Sequence, residues 1–226
     1  MSVTVYLCPV PEIPAGVLAA LYGQLRAHDR TRADRFVVER ARRLFVVAHR
    51  TVDFALTQAG LDYPVIATGN HGKPYLSHHP DVHFNLSHTE GMIAVAVARH
   101  VSIGVDVERR PERTHDLAAI AARVFTPSEQ ATMTVSADPV TIFTQFWTAK
   151  EAIMKATGLG FHLPAKDIEL TVPGPQLRRL PPAHADASTW WLHAEAIGDT
   201  WLALAAPRPT VRIVRKIVAI TDLASA

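Results

Sequence analysis

The sequence predicts a fold that mixes α-helix and β-strand in both halves of the chain. Three observations predict it. Short β-branched runs recur along the chain, among them MIAVAVA and SIGVDVE, and such runs suit strands. Residues 33–60, ADRFVVERARRLFVVAHRTVDFALTQAG, form a long amphipathic stretch ending in Gly60, as a helix does. A polar, proline-containing segment, RRPERTHD at 109–116, separates one set of elements from the next.

Taken in order, VTVYLCPV alternates as a strand, and residues 15–30 read as helix. Residues 33–60 are one helix or a broken pair. IATGNHGKPYL is predicted as a loop, held by Gly69, Gly72 and Pro74. Residues 82–108 read as strand, polar turn, strand, short turn, strand. Beyond the linker, DLAAIAARVF is helical. Thr126, Pro127 and Glu129 then form a capping box with proline at the first helical position. VTIFTQFWTAKEAIMKATG is a helix closed by Gly158. DIELTV, TWWLHAEAIG, TWLALAAP and VRIVRKIVAI are predicted strands, and PGPQLRRLPP at 173–182 an irregular loop. No short repeat is visible.

The chain has 226 residues, 48% of them apolar, enough for one large domain or two small ones. A net charge of +2 argues against an overall nucleic-acid or membrane-surface binder. The single cysteine, Cys8, excludes an internal disulfide and fits a reducing cytosol, so a cytoplasmic location is expected. MSVTVYLCPVPEIP has neither the basic start nor the apolar run of a signal peptide, and no window reaches 18 apolar residues.

Three clusters could carry chemistry. Asp106 and Glu108 are two apart on a predicted strand, so they share a face, while Ile103, Val105 and Val107 take the other. Two adjacent carboxylates repel and call for a cation, and hard oxygen ligands suit Mg²⁺. The same pair also suits a solvated strand end beside Arg109 and Arg110. On the helix, Trp147, Lys150, Glu151, Met154 and Lys155 are placed on one face at 100° per residue. Glu151 there is a metal ligand, a base, or half of a surface ion pair with Lys155. In HFNLSHTEG, Ser87 and His88 point to opposite sides of a strand, which disfavours a nucleophile–base pair. His88 serves more economically as a phosphate contact, or is simply a turn histidine. Two weaker features are Lys73 on its Gly/Pro loop and the arginines 40, 42, 43 and 50, whose planar forks suit phosphate.

The order and spacing of GKPYL, FNLSHTEG, IGVDVE and FWTAKEAIMKATGLG resemble the motif series of the 4′-phosphopantetheinyl transferases, in their larger, monomeric, surfactin-synthetase-activating type. The resemblance runs from about residue 33 to 170. It implies an α+β fold of two similar halves about a pseudo-twofold axis, with the active site in the cleft between them. With the linker as divider, the halves fall at 1–108 and 109–226. The family's reaction moves the phosphopantetheine arm of coenzyme A to a serine hydroxyl of an apo carrier protein (acyl, polyketide or peptidyl) and releases adenosine 3′,5′-bisphosphate. By motif position, Asp106, Glu108 and Glu151 match the family's Mg²⁺ ligands, with Mn²⁺ an alternative. Glu151 also matches the general base, Lys155 the pyrophosphate lysine and His88 the phosphate-contacting histidine. Ser87, Lys73 and Lys150 match coenzyme-contacting positions. Arg43 and Arg50 are the expected contacts to the 3′-phosphate. The resemblance implies a monomer, and the near-neutral charge and the lack of a long apolar run lead to the expectation of no nucleic-acid or membrane partner. A catalytically idle relative would lack some of these acids, whereas all three and Lys155 are present. Another phosphoryl-transfer class would show a Walker loop or G-x-G-x-x-G, and neither occurs.

Overall fold

The computed structural model describes residues 2–111, 116–184 and 186–225. The first half runs β1 (Ser2–Pro9), α1 (Ala15–Gly23), α2 (Ala27–Ala33), α3 (Glu39–Gln58), β2 (Ile66–Thr68), β3 (Pro74–Leu76), β4 (Val82–Thr89) and β5 (Met92–Arg99). The second runs β6 (Gly104–Arg109), α4 (Leu117–Val124), α5 (Pro127–Val135), α6 (Pro139–Thr157), β7 (Glu169–Thr171), β8 (Gln176–Arg179), β9 (Trp191–Ile197) and β10 (Thr200–Ala206). Both halves therefore read strand, three helices, four strands. Their main sheets repeat the same antiparallel pairing, β1–β5–β4 in one and β6–β10–β9 in the other. The expected mixed α+β class is what the chain adopts. β11 (Arg212–Ile217) then returns to pair in parallel with β1, and α7 (Ile220–Ala224) packs on the first half.

This pairing moves the expected boundary. The expected division at residue 108 leaves β6 at the end of the first half, whereas its backbone ladder is with β10 and it opens the second. Of the predicted linker, residues 112–115 lie outside the described residues.

Strand alternation sorts the cores. Val3, Val5 and Leu7 of β1, Ile103 just before β6, and Val105 and Val107 of β6 fill a core between the two sheets, together with Leu202 and Leu204 of β10. The opposite face of the first sheet packs on α1 and α3, and that of the second on α4 and α6. β5 is apolar on both faces because it is covered on both. The order is thus helix, sheet, sheet, helix, with hydrophobic burial on three interfaces driving it.

Several local readings needed adjustment. The predicted helices 15–30 and 33–60 are three: α1, α2 and α3, with Phe36, Val37 and Val38 exposed in the bend before α3. A helical period does not reveal a bend in which Val37 and Val38 stand in solvent while Phe36 turns back to the Phe45 ring of α3, 5.2 Å between centroids. The predicted loop at 66–76 holds the β2–β3 hairpin, and 173–182 holds β8. The capping box forms as read: Thr126 Oγ1 accepts from Glu129 N at 3.3 Å, and Glu129 Oε2 accepts from Thr126 N at 2.8 Å. Gly158 closes α6 in the left-handed region, φ 76°, where glycine has no Cβ penalty. Among the described residues, no helix is long and apolar enough to cross a membrane.

Candidate active site

Gly104 sets the position of the site. A Cβ there would lie 1.9 Å from Ala152 O and 2.5 Å from Ala156 N, both backbone atoms of α6. Only glycine lets strand and helix approach this closely. Asp106 and Glu108, two and four residues on, share the face of Gly104 and meet α6 where it carries Glu151 and Lys155. The end of β4 supplies Ser87 and His88. These six side chains line one cavity of about 200 Å³.

Lys155 bridges the acids. Its Nζ lies 2.6 Å from Asp106 Oδ1 and 3.7 Å from Glu151 Oε2, the latter the predicted i,i+4 pair. It also donates to Ser87 Oγ at 2.9 Å. Asp106 is 2% exposed, and its second oxygen, Oδ2, is buried without a hydrogen-bond partner. Burial, then the neighbouring Asp106 and Glu151 charges, push Glu108 up to about 7, against opposition from Lys155 and the Trp147 side chain. Burial and Asp106 raise Glu151 as well. His88 keeps an exposed edge, yet partial burial and the Lys155 ammonium lower its pKa, so the ring is held neutral near pH 7. Three carboxylates thus face one ammonium, an excess of negative charge in a confined space.

The donor chemistry fits a hard divalent cation. All three acids offer oxygen, and a bare buried carboxylate oxygen costs free energy until something meets it. As arranged, with Lys155 seated on Asp106, no three acidic, histidine or cysteine side chains among the described residues converge in metal-ligand geometry.

Comparison with known proteins bears on this arrangement. A family model described as the 4′-phosphopantetheinyl transferase superfamily matches residues 102–205. The 4′-phosphopantetheinyl transferase HetI of Nostoc sp. is 32% identical over 199 residues, covering 81% of each chain. The chain belongs to the 4′-phosphopantetheinyl transferase superfamily. A 4′-phosphopantetheinyl transferase of Bacillus subtilis is 38% identical over 128 residues, 52% of this chain and 55% of its own length. The 4′-phosphopantetheinyl transferase Sfp of Bacillus subtilis is 28% identical over 123 residues, 53% of each. The chain thus spans about half the length of these two Bacillus relatives.

Four of the expected coenzyme-contacting residues lie outside the cavity. Lys150 is fully buried on the other side of α6. Its Nζ meets Glu129 Oε2 at 2.6 Å and donates to the carbonyls of Val124 at 3.1 Å, Ala165 at 2.7 Å and Ile168 at 2.8 Å. One residue along a helix is a turn of about 100°, which separates Lys150 from Glu151. The expected coenzyme contact through Lys150 is therefore corrected to a core ion pair. Arg50 is corrected likewise. It is 1% exposed on the inner face of α3, its guanidinium 3.3 Å from Asp53 Oδ2 and 3.1 Å from Leu223 O. Lys73 donates to Ser102 Oγ, Ile103 O and Ala156 O, latching the β2–β3 hairpin to the start of β6 and the end of α6. Burial lowers its pKa to about 8. Arg43 stays exposed. It lies 3.3 Å from Glu39 and lines a separate groove of about 470 Å³ with Arg40, Leu44 and Glu90, two residues beyond His88.

Sequence reasoning gave no role to Asn85, Thr89 or Gly104. The alternation Asn-x-Ser-x-Thr on a strand was the available signal for the first two, since it puts three polar side chains in one row.

Proposed function

We propose that this chain transfers the 4′-phosphopantetheine arm of coenzyme A to a serine hydroxyl of an apo carrier protein, acyl, polyketide or peptidyl, releasing adenosine 3′,5′-bisphosphate. The observation that carries this is the meeting of Asp106, Glu108, Glu151 and Lys155 in one cavity with Ser87 and His88. The names of the relatives support the reaction class.

In this reading the carrier serine oxygen attacks the phosphorus that bears the pantetheine arm. The bond to the bridging pyrophosphate oxygen breaks, and its electron pair leaves with adenosine 3′,5′-bisphosphate. Glu151 takes the serine proton, and burial beside Asp106 raises its pKa, which strengthens it as a base. Lys155, on its long stem, moves from Asp106 to a pyrophosphate oxygen and meets the charge that develops as the bond breaks. Neutral His88 donates a hydrogen bond to a phosphate oxygen from its exposed edge. Arg43, in the groove beyond His88, is the remaining candidate for the 3′-phosphate. Asp106, Glu108 and Glu151 would hold Mg²⁺, or Mn²⁺ in its place, which when bound neutralises the pyrophosphate charge. The same reading has a monomer acting in the cytoplasm.

The test is intact-protein mass spectrometry of apo carriers of all three types, incubated with the protein, coenzyme A and Mg²⁺. One carrier or more should gain one phosphopantetheine arm, and Asp106→Ala should abolish the gain. Unmodified carriers together with no measurable binding of coenzyme A would overturn the reading.

A further inference from the structure

Three polar side chains of β4 bond in succession to the backbone of β6. Asn85 Oδ1 accepts from Val105 N at 2.9 Å, Ser87 Oγ from Val107 N at 3.3 Å and Thr89 Oγ1 from Arg109 N at 3.2 Å. β6 is the edge strand of its sheet, paired on one side only with β10. The row from β4 satisfies N–H groups that the other side would leave bare. It also joins the two sheets at the point where the acids stand.

The middle rung does more. Ser87 is 6% exposed, and its hydroxyl hydrogen goes to Asp106 Oδ1 at 2.7 Å while its oxygen accepts from Val107 N and Lys155 Nζ. Asp106 Oδ1 is thereby held by Ser87 and Lys155 together. The carboxylate cannot rotate without breaking these bonds, and its other oxygen is left buried and bare. A hydroxyl committed in this way is poorly placed to meet a coenzyme as well.

We propose that Ser87 is a positioning residue that fixes the Asp106 carboxylate so that Oδ2 is presented to a divalent cation, while the flanking rungs at Asn85 and Thr89 join the two sheets through the β6 backbone. The proposal rests on the metal-dependent reading above and assigns Ser87 to the metal side of the site.

The test is Mn²⁺ affinity, read by electron paramagnetic resonance of free Mn²⁺ with coenzyme A present and no carrier, so that binding and not turnover is measured. Ser87→Ala should weaken Mn²⁺ by about 10- to 100-fold, the usual effect of removing a hydrogen bond to a metal ligand. Thr89→Val removes a neighbouring rung that does not touch Asp106. It should lower the melting temperature yet leave Mn²⁺ affinity within about twofold. If Ser87→Ala does not fold, Ser87→Cys keeps the bulk with a far weaker donor and reads the same quantity. Wild-type Mn²⁺ affinity in the Ser87 variant, equal losses in the Ser87 and Thr89 variants, or no Mn²⁺ binding by the wild type would each overturn the proposal. Arm transfer by the wild type alongside an unaffected Ser87 variant would sink this inference alone. Mn²⁺ binding that depends on Ser87, with no carrier modified, would sink the transfer reading alone.

Discussion

The two central helices, α3 and α6, occupy equivalent places in the two halves, and each buries one cation. Arg50 of α3 meets Asp53 and the carbonyl of Leu223, and Lys150 of α6 meets Glu129 and three carbonyls. Only α6 adjoins chemistry. The strand facing α3 at the equivalent position is β1, which turns Tyr6 and Cys8 toward the helix core. The strand facing α6 is β6, which turns Gly104, Asp106 and Glu108. A buried cation on the central helix is thus part of the architecture in both halves. The site arises from three positions on one strand, and from the side of α6 that meets them.

The largest effect tests the first part of this comparison. Glu129 has Lys150 as its cation, and it also accepts from Thr126 N and Leu170 N. Lys150→Met would strand a buried carboxylate and should cost about 3–5 kcal/mol of stability. Asp53 by contrast keeps Arg26, at 2.8 Å, when Arg50 is removed. Arg50→Met should therefore cost less, about 1.5–3 kcal/mol for lost bonds to charged groups. Urea unfolding of both variants measures the difference. Neither should change the coenzyme A dissociation constant of the folded protein by more than about twofold. A weaker coenzyme complex at unchanged stability in the Lys150 variant would restore that lysine to the ligand side.

Lys150 also shows where the sequence was legible and where it was not. Elements with local, self-contained signals were readable: the alternation of β1, the capping box of α5, the Gly158 stop of α6. The spacings i,i+2 on β6 and i,i+4 on α6 correctly paired Asp106 with Glu108 and Glu151 with Lys155. A 100° step is too coarse to say which of two adjacent residues, Lys150 or Glu151, faces a cleft and which faces a core. That choice depends on how α5 and the turns on either side fold back on α6, where Glu129 and the carbonyls of Val124, Ala165 and Ile168 gather round Lys150. Arg50 likewise faces the core: Asp53 on its own helix is in reach at i,i+3, but the Leu223 carbonyl of α7, which fixes that side as buried, is 173 residues away. The repeat of the halves was invisible because strand order carries it, and residue identity does not. The hairpin β2–β3 was missed because three-residue strands between glycines and a proline leave no periodicity to count.

A second test addresses the close approach that α3 and β1 lack. Gly104→Ala would press a Cβ on Ala152 O and Ala156 N, backbone atoms that cannot swing away. Strand and helix must separate. Overpacking of this kind should cost about 1–3 kcal/mol. A displacement near 1 Å between Asp106 and Glu151 should also lower kcat/KM for arm transfer about 100-fold. Calorimetry and transfer kinetics on one preparation read both. Full transfer with normal stability would mean that the β6–α6 spacing does not set the site.

The smallest effect separates the two faces by charge. Glu108 titrates near 7 in the folded chain, against 4.5 for an ordinary glutamate, because burial and two neighbouring carboxylates disfavour its charge. The folded state therefore holds the proton more tightly than the unfolded state. The stability from that proton is fully present below about pH 4.5 and is lost as pH rises through about 7. Glu108→Gln cannot ionise, so it should match the wild type near pH 4.5. At pH 8 it should be more stable by about 1 kcal/mol, which is about 2–4 °C in melting temperature for a chain of this size. The β1 face offers the contrast. Burial raises both Tyr6 and Cys8, the thiol to about 11, so that face stays neutral over the same range. Calorimetric melts of wild type and Glu108→Gln from pH 4.5 to 8, without added divalent cations, read the difference directly. A gain that grows with pH places the excess charge on the β6 face. A constant offset across that range would mean that Glu108 is not strained by its neighbours, and the electrostatic distinction between the two halves would fall with it.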